Sequence, residues 1–315
     1  MSMRKFIKIQ LERLFFLYHR IRNIQPIWFY LLNHEPRKVW HIFKPENISE
    51  TQKEIANSLQ RDGIAVSHIS NFFSDISFFE DLKKYTSEKL NDSVIQSEII
   101  SKKEMKPGKK GEKVFFVYLL GGDKKDFVID FANPFVRFIL SDILLSTTGS
   151  YLKLAPKFNS FYLMSTLVVP PDFQAYLSQR WHRDPEDKKL VKVFLYLNDV
   201  NEGTGPFIYI KGSQYGGRWR HLFPQRLPAG SYPPDGEIEK IVPREDIKIC
   251  TGQAGTLIFC DTSGLHKGGF SATQSRLMSM ASFVSSASLF PINYERPNEE
   301  YLKNLTPFQK YALTK

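Results

Sequence analysis

Trp181-His182-Arg183-Asp184 is the stretch on which the reading of this 315-residue chain turns. In an extended backbone residues i and i+2 project to the same side, so His182 and Asp184 face one way and Arg183 the other. Further along, Gly255-Thr256-Leu257-Ile258-Phe259-Cys260-Asp261 is a β-branched and aromatic run feeding a Thr262-Ser263-Gly264 turn, which can deliver His266 to the same place. Two imidazoles and one carboxylate are the ligand set that holds non-haem Fe(II) on one face and leaves the opposite coordination positions open. Ser275-Arg276-Leu277-Met278-Ser279-Met280-Ala281-Ser282-Phe283-Val284 alternates polar and apolar residues, as a strand with one inward face does, and this turns Arg276 inward. A buried guanidinium needs an anion, because an unpaired buried charge is strongly destabilising. A planar fork close to a ferrous site suits the distal carboxylate of 2-oxoglutarate.

The surrounding residues extend the pattern. After Asp184 come Lys192-Val193-Phe194-Leu195-Tyr196-Leu197-Asn198-Asp199-Val200, Glu202-Gly203-Thr204-Gly205-Pro206 and Ile210-Lys211-Gly212-Ser213. Upstream lie Leu59-Gln60-Arg61-Asp62-Gly63-Ile64-Ala65-Val66 and the segment from Asn133-Pro134 to Gly149-Ser150. In this order the pieces resemble the phytanoyl-CoA dioxygenase family of Fe(II)/2-oxoglutarate oxygenases, over about residues 50 to 287. The resemblance implies iron ligation by His182, Asp184 and His266, and a contact between Arg276 and the 2-oxoglutarate carboxylate. It also implies O2 as co-substrate, succinate and carbon dioxide as co-products, and hydroxylation of a C–H bond in a small metabolite. Halogenating relatives lack the carboxylate ligand, so the presence of Asp184 favours hydroxylation. Many family members have His where this chain has Gln214, a departure expected to touch the substrate or the surroundings of the ligands rather than the metal. The competing expectation is a metal-binding cupin-type protein, an isomerase or a binding module, which does not use 2-oxoglutarate and would not need an inward Arg276.

Other residues near the pattern admit two readings. Asp261 either orients a ligand imidazole or forms the turn that follows it. Trp181 either packs on the barrel wall, the better supported role, or screens the metal from water. Lys192 faces solvent or the cavity. His19, His34, His41, His68 and His221 have no metal-like spacing among themselves and are read as structural or surface residues.

Helical signals come first and strands dominate from Phe158 onward, which predicts an α+β protein with a mainly β core. The ligand pattern points to a double-stranded β-helix of jelly-roll, cupin-like type with flanking helices. Ser49 and Gln52 are spaced as a capping box, with Gly63 as the helix stop before a strand over Ile64–His68. Ser74 or Asp75 opens a helix to about Lys89, Val114–Leu120 reads as a strand, and Asn133–Ser150 as one helix.

Residues 1–45 read as a basic amphipathic helical extension and 46–315 as the oxygenase domain. Ile7, Leu11, Leu14, Tyr18 and Ile21 recur at helical spacing, and Pro26 interrupts before the apolar stretch Ile27–Leu32. Such a segment covers the barrel, forms a dimer contact or lies on an anionic membrane surface. No apolar run approaches the ~20 residues needed to span a bilayer. The N-terminus also mixes charges through its apolar residues, unlike a secretory signal. With Cys250 and Cys260 the only cysteines, no disulfide framework is indicated, and a cytoplasmic location with peripheral membrane contact is expected.

The formal net charge is +10, with Lys102, Lys103, Lys106, Lys109, Lys110 and Lys113 expected in one loop and Arg218, Arg220 and Arg226 in another. Such charges steer an anionic small-molecule substrate or simply form solvated faces. No nucleic-acid motif accompanies them, so no nucleic-acid partner is expected.

Overall fold

Ser49 accepts a hydrogen bond from the Gln52 amide while the Gln52 side chain accepts from the Ser49 amide, so the capping box forms as the spacing predicts. The helix it starts ends at Gly63, whose φ of 75° is left-handed. A Cβ at Gly63 would also collide with the Tyr209 hydroxyl and the Gln214 amide, so both conformation and space require glycine there. The computed structural model describes residues 3–104, 115–124, 126–170, 173–224 and 232–314.

The first half of the chain carries α1 (Met3–Arg22), α2 (His34–Phe43), α3 (Glu50–Asp62), β1 (Ile64–His68), α4 (Ile76–Leu90), α5 (Ser93–Glu104), β2 (Phe116–Gly121), α6 (Pro134–Ile139) and α7 (Asp142–Leu152). The second half carries β3 (Lys157–Thr166), β4 (Val191–Tyr196), β5 (Phe207–Ile210), α8 (Glu237–Ile241), β6 (Ile247–Cys250), β7 (Thr256–Cys260), β8 (His266–Gly268), β9 (Leu277–Val284), α9 (Glu299–Lys303) and α10 (Pro307–Leu313). One antiparallel sheet has the order β1-β7-β4-β9-β3-β2, and a smaller one has β6-β5-β8.

Period-two alternation divides the core into two layers. Val193, Leu195, Leu257, Phe259, Ala281 and Phe283 turn toward the helices, where they pack with Leu59, Phe135 and Leu144. Phe194, Tyr196, Ile258, Met278 and Met280 turn the other way and meet Phe207 and Tyr209 of the smaller sheet. The central strands are therefore buried on both faces, which explains why β7 reads as an unbroken apolar run.

Three sequence expectations change. The helix expected over Asn133–Ser150 is two helices, because the Ser141 hydroxyl donates to the Phe138 carbonyl and Ser141 itself is extended. Lys102 and Lys103, expected in a loop, belong to α5, whose start is capped by Asp92 accepting from the Val94 amide. Lys102 then pairs with Glu98 at 3.0 Å. The strand expected from Val114 begins at Phe116; Val114, Lys106, Lys109, Lys110, Lys113 and Arg226 lie outside the described residues.

At the N-terminus, Ile7, Leu11, Leu14, Tyr18 and Ile21 share one side of α1 and are all exposed. The end of α1 is anchored through buried Arg22, which donates to the Ala287 carbonyl at 2.8 Å. Residues Ile27–Leu32 form a π-helical turn that buries Trp28, whose Nε1 donates to Asp187 at 2.7 Å. Trp40 of α2 stacks on Phe308 of α10. Because Trp28 is 1% exposed and hydrogen-bonded, Trp28→Ala is expected to cost about 3–5 kcal/mol. Chemical denaturation checks this, and a loss under about 1 kcal/mol would contradict the role of Trp28 as the anchor of this segment.

Candidate metal centre

His182 and His266 exchange backbone hydrogen bonds, each amide donating to the other's carbonyl at 3.0 Å. This antiparallel bridge adds the 181–184 segment to the edge of the smaller sheet beside β8. Asp184 is fixed by its amide donating to the Thr262 carbonyl at 2.8 Å. The pairing sets the two imidazoles with their centroids 4.2 Å apart, and the donor atoms of His182, Asp184 and His266 all lie within 4.8 Å of one another. Nε2 of His266 is 3.4 Å from Asp184 Oδ2, and Nε2 of His182 is 3.8 Å from Oδ1.

Each ring is oriented from behind by a main-chain oxygen: His182 Nδ1 lies 2.8 Å from the Arg180 carbonyl and His266 Nδ1 3.0 Å from that of Gly264. A carbonyl can only accept, so each Nδ1 donates. A neutral ring then keeps its Nε2 lone pair for the shared space. Burial, helped by the neighbouring His266, pushes the His182 pKa down to about 4. Burial opposes ionisation of Asp184, but the Lys192 ammonium beside it holds its carboxyl well below the ordinary range. Neutral imidazoles and an ionised carboxylate are the protonation states a divalent metal requires.

Lys192, left between solvent and cavity by its sequence, points into the site and donates to Asp184 Oδ2 at 2.7 Å and to Glu186 at 3.1 Å. Burial works against its charge, and the two carboxylates more than restore it, raising its pKa. Glu186 was not marked by the sequence reading, although it follows Asp184 at the same period-two spacing. Among the described residues, the candidate ligands and Arg276 line one cavity of about 350 Å³ whose other walls include Phe115, Phe116, Tyr118, Tyr162 and Phe194.

Arg276 sits one residue before β9 with its amide donating to Thr166 Oγ1 at 2.7 Å. It is 5% exposed and donates through Nη1 to the Gly205 carbonyl, and its Nε has no partner. No carboxylate lies within ion-pair distance of it among the described residues. The structure thus places a cation, with no counter-ion among the described residues, in the wall of the cavity that holds the three candidate ligands.

The remaining sequence candidates resolve as follows. Asp261 touches neither imidazole; it accepts from the Tyr151 hydroxyl and the Ser263 amide and so forms the turn. Trp181 is packed with Ile210, Ile238, Val242 and Leu265 and donates to Glu239. Gln214 is a correction. It does not line the cavity, and its amide donates to the Gln60 and Arg61 carbonyls, tying the end of α3 in place. Arg218 pairs with Asp246, which also accepts from Trp219.

No family model matches the sequence, and no curated protein does. Solved structures share the fold. An epimerase from nogalamycin biosynthesis, SnoN, solved with Fe3+, alpha ketoglutarate and nogalamycin RO, is 15% identical with a TM-score of 0.51, over 77% of this chain and 87% of that one. EctD from S. alaskensis, solved with bound Fe, is 17% identical with a TM-score of 0.50, over 79% of this chain and 82% of that one. At these identities the likeness establishes that this chain has the fold of such iron and 2-oxoglutarate enzymes.

Burial also pushes the His19 pKa down to about 4, so His19 and His182 both stand below the ordinary 6.5. Between pH 6.5 and about 4 the unfolded chain takes up protons that these folded rings refuse. The stability they contribute is complete above 6.5 and is lost as pH falls toward 4. The metal-free protein is expected to unfold at a lower temperature at about pH 5 than at about pH 7, and a His19→Gln, His182→Gln double variant to show a shallower decline. Equal slopes for the two proteins would contradict this.

Proposed function

We propose that this protein is a non-haem Fe(II)/2-oxoglutarate-dependent oxygenase of phytanoyl-CoA dioxygenase type that hydroxylates a C–H bond of a small metabolite. In this reading the paired sheets are its double-stranded β-helix. The observation that carries the proposal is the buried Arg276 guanidinium, with no carboxylate partner among the described residues, in the wall of the cavity that contains His182, Asp184 and His266. The three side chains would hold Fe(II), and Arg276 would take the distal carboxylate of 2-oxoglutarate. When bound with O2, that pair supplies the oxidising power to break a C–H bond, the keto acid being converted to succinate and carbon dioxide.

The chain's own contributions are positional and electrostatic. The Arg180 and Gly264 carbonyls hold the two rings in the tautomer that presents Nε2. Lys192 donates to Asp184 Oδ2, and Glu186 shares the lysine's charge. The aromatic walls exclude water from the reacting centre and suit a substrate that presents an apolar portion to it. A cupin-type protein that does not use 2-oxoglutarate would leave Arg276 without a purpose.

Anaerobic addition of Fe(II) and 2-oxoglutarate is expected to give the visible charge-transfer absorption of a chelated keto acid, absent in His182→Ala and Asp184→Ala. Arg276→Ala should weaken 2-oxoglutarate binding about 10- to 100-fold, since hydrogen bonds to a charged group contribute about 1.5–3 kcal/mol. Unchanged affinity in Arg276→Ala, with the fold intact by circular dichroism, would favour the cupin reading.

The exposed apolar side of α1, with Arg13 and Arg20 around the opposite side of the helix, supports a second element of this proposal, peripheral contact with an anionic membrane surface. Full-length protein is expected to pellet with anionic liposomes at low salt and not with neutral ones. A soluble dimer that ignores both would assign this helix face to a second copy instead.

A further inference from the structure

Arg183 lies between the two metal-facing residues and projects to the opposite side of the same extended segment. There it donates to the carbonyls of Ser213, Trp219, Leu222, Phe223 and Ser263, with no carboxylate among its partners. Beside it lies a second cavity, of about 620 Å³, between α1 and the segment 215–224. Its walls carry His19, Arg20, Arg183, Lys188, Arg220 and His221.

Among the described residues the only acid on these walls is Asp187, and its oxygens are committed to the Trp28 indole and the Lys188 and Ser285 amides at 2.7–2.8 Å. Lys188 is 2% exposed, and no carboxylate lies within ion-pair distance of its ammonium among the described residues. It sits in the cavity wall, donating to the Gln25 side chain at 2.6 Å with its ammonium 3.9 Å from the centroid of the Tyr215 ring. A neutral amide and an aromatic face only partly replace water around an ammonium. Ser263, also on the wall, has a buried hydroxyl with no partner. Cations from residue 188 and from residue 220 approach one space, which a multi-oxygen anion satisfies better than a single carboxylate can.

We propose that this cleft is a binding site for a phosphate-bearing small molecule, separate from the metal centre, with Lys188 and Arg220 as its principal contacts. The cavity exceeds what inorganic phosphate fills, so a phosphomonoester fits it better. The site does not depend on the oxygenase reading, because none of its wall residues belongs to the metal cavity.

The probes are inorganic phosphate and glycerol phosphate at constant ionic strength, read by calorimetry and thermal shift on the full chain. Wild type and Arg276→Ala are expected to bind both probes, glycerol phosphate the tighter. Lys188→Met, which keeps the aliphatic stem, and Arg220→Ala at an exposed position are expected to weaken them at least tenfold. A fold fault in Lys188→Met would show as a lowered unfolding temperature without probe, and Arg220→Ala then decides. Absence of binding to wild type overturns the proposal. So does binding lost in Arg276→Ala but kept in Lys188→Met and Arg220→Ala, which would place the anion in the metal cavity. Protection by phosphatidylglycerol vesicles with none by either soluble probe overturns it in favour of a membrane surface.

Discussion

The reciprocal backbone hydrogen bonds between His182 and His266 are the constraint on which the rest of the site depends. A pair that exchanges both amide bonds has its side chains on the same face of the ladder. Two imidazoles from distant points of the chain therefore emerge side by side, and period two brings Asp184 to join them. Main-chain carbonyls behind each ring orient the two imidazoles, and Lys192 holds the carboxylate. The convergence of these three candidate ligands is a property of strand pairing.

A second consequence follows from the same segment. Because His182 and Asp184 face one side, Arg183 must face the other, where it gathers the carbonyls of the 213–223 segment. One short extended stretch thus has the metal cavity in front of it and the cationic cleft behind it. The α1 and Trp28 contacts close that cleft from the N-terminal side, so the first residues of the chain contribute to the architecture around the site.

The sequence made the candidate ligands and Arg276 legible through local signals: period-two spacing for His182 and Asp184, the Thr262-Ser263-Gly264 turn before His266, and the alternation of the strand that Arg276 precedes. The capping box at Ser49 and the stop at Gly63 were legible for the same local reason. Lys192 was not, since β4 is buried on both faces and apolar residues flank the lysine in either direction. The break between α6 and α7 was hidden by apolar residues on both sides of Ser141, and α5 by Val94, Ile95, Ile99 and Ile100, which do not form a single stripe. Gln214 and Asp261 took their roles from partners distant in sequence, the α3 terminus and Tyr151, which no local pattern reveals.

The most direct measurement is anomalous diffraction at the iron edge from crystals grown anaerobically with Fe(II) and 2-oxoglutarate. The account predicts a single peak bounded by Nε2 of His182, Nε2 of His266 and a carboxylate oxygen of Asp184, with keto-acid density reaching the Arg276 guanidinium. Iron bound elsewhere, or Arg276 satisfied by a protein carboxylate while that density is missing, would contradict it.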